Sequence, residues 1–86
     1  MTYEEMQSIV NAQVEDTVCV GLENIKSTSD LVEDLGADEL DVVEIIISLE
    51  EAFGINIEEE DCEKMHTIGD VYDFMVRRKI CDAPVK

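Results

Sequence analysis

Apolar residues recur along much of the chain at spacings of three and four, the mark of helices that bury one face. Met6, Ile9, Val10, Val14 and Val18 share one side of a first helix predicted from about Tyr3 to Cys19. Thr2 is placed to cap its start, and Glu5, three residues on, completes a reciprocal capping box. Gly21 marks the exit. Leu22 to Asp34 then reads as a long loop pinned by Leu22, Ile25, Leu31 and Val32, with turn chemistry in Ser27-Thr28-Ser29-Asp30. Asp38 is the expected cap of a second helix that runs to about Phe53 and stops at Gly54. Glu58 to Met65 is read as a short third helix. Thr67 and Asp70 open a last one, with Ile68, Val71, Tyr72, Phe74, Met75 and Val76 turned partly inward. Ile55-Asn56-Ile57 alternates but is too short to define a strand. The expected fold is all-α, a bundle of three main helices plus one short helix, forming a single domain over 1–86 with a frayed tail at 80–86.

The second helix carries apolar residues on two sides. At about 100° per residue, Val42, Ile45, Ile46, Leu49 and Phe53 fall together, whereas Leu40, Val43 and Ile47 fall nearly opposite. A core this small has room for one side only. The larger set is the natural core stripe, expected to meet the Met6/Ile9/Val10 and Ile68/Val71/Met75 faces. Leu40, Val43 and Ile47 are then left outside, edged by Glu44, Glu50 and Glu51. An apolar strip bordered by carboxylates suits docking: the strip supplies affinity and the charges steer a basic partner into register.

Charge sharpens that picture. The 22 Asp and Glu against 6 Lys and Arg give a formal net charge of −16. Nucleic acid and anionic lipid surfaces repel such a chain, so partners with basic docking surfaces are expected, and neither nucleic acid nor membrane is. The one basic cluster, Arg77-Arg78-Lys79, is read as closing the last helix, where cations complement the dipole. With 86 residues, four of them aromatic and none tryptophan, the chain builds one mainly aliphatic core.

Catalytic chemistry is not in evidence. His66 is the only histidine and has no nucleophile or second base beside it in the pattern. Gly21, Gly36, Gly54 and Gly69 are isolated turn and cap glycines, not a phosphate loop. Cys19, Cys62 and Cys81 are odd in number and lack metal spacing, so they are read as inert thiols in a reducing, cytoplasmic setting. No segment has the length and apolarity to span a bilayer, and no apolar leader opens the chain. Asp34, Asp38 and Asp41 gather near the second helix start, where weak divalent-ion binding would relieve repulsion, although no EF-hand loop is present. The chain is expected to be a monomer and not an enzyme.

Val32-Glu33-Asp34-Leu35-Gly36-Ala37-Asp38, Leu40-Asp41-Val42-Val43-Glu44, Leu49-Glu50-Glu51-Ala52-Phe53, Glu63-Lys64-Met65 and Thr67-Ile68-Gly69-Asp70-Val71 keep an order and spacing that closely resemble an acyl carrier protein of the fatty-acid or polyketide type. The resemblance spans about residues 25 to 76. It implies a small helical bundle whose second helix presents a phosphopantetheine arm and contacts biosynthetic enzymes. Asp38, Glu39 and Leu40 then occupy the attachment motif, with Glu39 where the family carries its serine.

That departure matters chemically. A carboxylate forms no stable phosphodiester, and Ser48 lies more than two helical turns further on. No cofactor is therefore expected on this chain, whereas serine at position 39 would imply phosphopantetheine. Glu39 also costs the fold nothing: at the first turn a negative charge gains about 0.3–1 kcal/mol from the dipole. A phosphopantetheinyl transferase becomes a non-productive binder in this reading, and partner docking falls to Leu40, Val43, Glu44, Ile47, Glu50 and Glu51. The alternatives are a natural interaction or scaffold module that uses the same fold, a serine-to-glutamate variant that holds the unmodified state, and an acidic protein responsive to divalent ions.

Overall fold

The computed structural model describes residues 1–18 and 21–83, with only the backbone at Leu22. Cys19 and the side chain of Leu22 therefore lie outside the described residues. Four α-helices follow in chain order: α1 (Tyr3–Val18), α2 (Glu39–Phe53), α3 (Glu59–Cys62) and α4 (Ile68–Arg77), with a 3-10 turn at Leu22–Asn24. Among the described residues there is no strand, only an isolated antiparallel bridge between Asp30 and Thr67.

Side chains close the starts of the three main helices. Thr2 N donates to Glu5 Oε1 at 2.8 Å, and Glu5 N to Thr2 Oγ1 at 3.1 Å. Asp38 and Asp41 repeat the exchange at α2, as Thr67 and Asp70 do at α4, each pair satisfying donors that a helix start leaves unpaired. Gly54 ends α2 in a left-handed conformation, φ 65°, where a Cβ would be strained. At the far end of α4, Arg78 lies 5.3 Å from the Phe74 ring centroid and donates to the Asn56 carbonyl at 3.2 Å. Arg77 lies in the last turn of α4 and Arg78 is its C-cap residue.

α1 lies against both α2 and α4. Met6, Val10 and Val14 from α1, Ile45 and Leu49 from α2, and Ile68, Val71, Phe74 and Met75 from α4 form the fully enclosed centre. Ile9 and Val18, placed on the first helix's core face by spacing, are only half-buried at its edge. The core is mainly aliphatic, but Phe74 is its largest fully buried side chain and Tyr72 joins it. The Tyr72 hydroxyl remains satisfied by donating to Asn11 Oδ1 at 2.5 Å.

The long loop is stitched to the start of α4. Ile68 N and Gly69 N, which lack partners inside their own helix, donate to the carbonyls of Ser29 and Ser27 at 3.0 and 2.8 Å. Leu31 N donates to the His66 carbonyl at 2.9 Å, and Ile25 and Leu31 bury their side chains. Val32 does not pin the loop: it is 55% exposed, because the chain turns at Asp30–Leu35 and sends Leu31 and Leu35 inward instead. α3 is shorter than the Glu58–Met65 span expected. Its four residues include no buried side chain, and the buried Met65 follows beyond its end. In the tail, Ile80 packs on the core and Cys81 is buried, while Asp82 N donates to the Met1 carbonyl at 3.1 Å. Positions 84–86 of the expected tail lie outside the described residues.

Candidate functional site

α2 separates its two apolar sets as their angular positions require. Ile45, Ile46 and Leu49 are buried and Val42 and Phe53 pack partly against them, whereas Leu40 is 73%, Val43 49% and Ile47 47% exposed. The three outward residues fall within an arc of about 60°. Glu39 lies just beyond one edge of that arc, and Glu44 and Glu51 lie beyond the other. All three of these carboxylate residues are exposed.

Glu50 behaves differently from its expected place on the docking rim. It is half-buried, and its Oε2 accepts a hydrogen bond from Ile57 N at 2.9 Å. This hydrogen bond ties α2 to the connection that leads to α3. This tie draws Ile57 inward and shapes an apolar groove of about 320 Å³, lined by Val42, Val43, Ile46, Ile47, Ile57, Glu59 and Cys62. Neither the groove nor the contributions of Ile57 and Cys62 follow from helical spacing. The one sequence signal is the Ile55/Ile57 alternation, which turns Ile57 into the core side of the connection.

At the start of α2, Asp41 N donates to Asp38 Oδ1 at 2.9 Å and Asp38 N to Asp41 Oδ2 at 3.2 Å. Asp34 is occupied elsewhere, its Oδ2 accepting from Asp30 N at 2.7 Å. The three aspartates considered for divalent ions are thus separately engaged with backbone, and no cluster of three or more His, Cys, Asp or Glu suited to a metal ion occurs among the described residues.

The two described thiols are disfavoured as nucleophiles. Burial, and after it the Glu50 and Asp61 carboxylates, push the Cys62 thiol above its ordinary value. Cys81 is raised by burial and then by Asp82. His66 is exposed, in a loop, and uses its backbone to pair with Leu31 and Asp70. Among the described residues no helix is long and apolar enough to cross a membrane.

Among the described residues, a small helical bundle presents one helix that buries one apolar set and exposes another beside carboxylates. Residues 9–75 match the family described as the phosphopantetheine attachment site. The acyl carrier protein of Wolinella succinogenes is 42% identical over 77 residues, covering 90% of this chain and 96% of that protein. That of Chloroherpeton thalassium is 40% identical over 79 residues, covering 92% and 99%. A solved structure of a putative acyl carrier protein from Mycobacterium tuberculosis superposes with a TM-score of 0.78 at 32% identity, covering 85% of this chain and 97% of that one. The chain belongs to the acyl carrier protein family.

From Asp38 to Asp41, at the start of α2, no side chain carries a hydroxyl. Glu39 offers a carboxylate there. Ser48 is nine positions along the same helix, about 13 Å by helical rise. Ser29 is buried in the loop, where its Oγ accepts from Lys26 N and donates to the Asn24 carbonyl.

Proposed function

We propose that this chain is a docking member of the acyl carrier protein family that meets basic surfaces of fatty-acid or polyketide-type biosynthetic enzymes through the outward side of α2, and that as it stands it carries no phosphopantetheine. The observation that carries the reading is the division of α2: one apolar set closes the core while Leu40, Val43 and Ile47 face solvent between carboxylates. Burying those aliphatics against a partner removes apolar surface from water at about 25 cal/mol per Å². Glu44 and Glu51 add register and on-rate with a basic surface. The net charge of −16 opposes self-association through the same strip and favours a monomer. A reducing, cytoplasmic setting agrees with free Cys62 and Cys81.

Glu39 supports the second half of the reading. It preserves a negative charge at the helix start without an oxygen that can hold a phosphodiester, so the docking surface is retained and the cargo is not.

Intact-mass measurement of this chain and of Glu39→Ser, each incubated with coenzyme A, magnesium and a phosphopantetheinyl transferase, tests the proposal. Only the serine form is expected to gain the phosphopantetheine mass. Modification of the unaltered chain overturns the reading. Modification of neither form favours a scaffold module over a disabled carrier.

A further inference from the structure

We draw no further inference here: the strongest candidate, the apolar groove of about 320 Å³ between α2 and the segment from Ile57 to Cys62, adjoins the outward side of α2 already described, and nothing in the structure shows what covers it.

Discussion

The Glu50 carboxylate accepts a hydrogen bond from Ile57 N at 2.9 Å, tying the outer edge of α2 to the connection seven residues later. This bond links the docking face to the core, because Ile57 is buried and also lines the groove beside Val43 and Ile47. Glu50→Ala leaves the Ile57 N–H without its side-chain acceptor and is expected to lower unfolding free energy by about 1–2 kcal/mol. Urea denaturation measures the loss. Glu51→Ala, on an exposed neighbour, should change stability by less than about 0.5 kcal/mol.

Gly69 is held to glycine by the loop above it. A Cβ at this position meets the Ser27 carbonyl oxygen at 2.9 Å, and that same oxygen accepts the Gly69 N–H. Backbone on both sides leaves no flexible atom to yield. Gly69→Ala should therefore destabilise by about 1–3 kcal/mol despite alanine's higher helix propensity. Thermal unfolding followed by circular dichroism checks the sign. An increase in midpoint would mean that the loop can lift from the start of α4 without cost.

Much of the scaffold was legible because its signals are local. Thr2/Glu5, Asp38 and Thr67/Asp70 mark helix starts locally, and the opposed apolar sets of α2 follow from one angular increment. The contacts that escaped reading join segments with no shared period: Ser27 to Gly69, Glu50 to Ile57, Arg78 to Asn56. Val32 was misplaced for the same reason, since a turn at Asp30–Leu35 decides which of two adjacent aliphatics enters the core. At the candidate site, Glu39 and the exposed strip could be read directly. The hydrogen bond from Ile57 N to Glu50 could not, since it depends on how the chain returns after Gly54.

Asp70 gives stability a carboxylate signature at low pH. Its carboxyl is held below the ordinary value of 3.8, first by the Thr67 backbone N–H and further by the His66 N–H. A depressed folded-state value contributes stability that is present above the ordinary value and lost as pH falls through the folded one. Relief of repulsion among the many other carboxylates acts in the opposite direction over the same range. Asp70→Asn removes only the first contribution. The prediction is a smaller loss of unfolding free energy between pH 5 and pH 2 in the variant than in the parent, measured by urea titration at each pH. Parallel curves would deny Asp70 this role.

The two sides of α2 should separate stability from recognition. Ile45 is fully buried in the core, so Ile45→Ala removes apolar contact and leaves a cavity, at a cost of about 2–4 kcal/mol. Ile47, two positions away, has nearly half its surface in water and should cost less than about 1 kcal/mol when cut to alanine. Binding should reverse that order. Once folded at low temperature, Ile45→Ala keeps the outward strip and should bind a phosphopantetheinyl transferase about as well as the parent, whereas Ile47→Ala should bind several-fold more weakly. Calorimetric unfolding and surface-binding measurements on the same two proteins decide the matter. Proportionate loss of both properties in both variants would mean that docking reads the integrity of the bundle as a whole. Only a crossed result assigns the helix two separable faces, because each substitution removes aliphatic surface from one helix and differs chiefly in the side it strips.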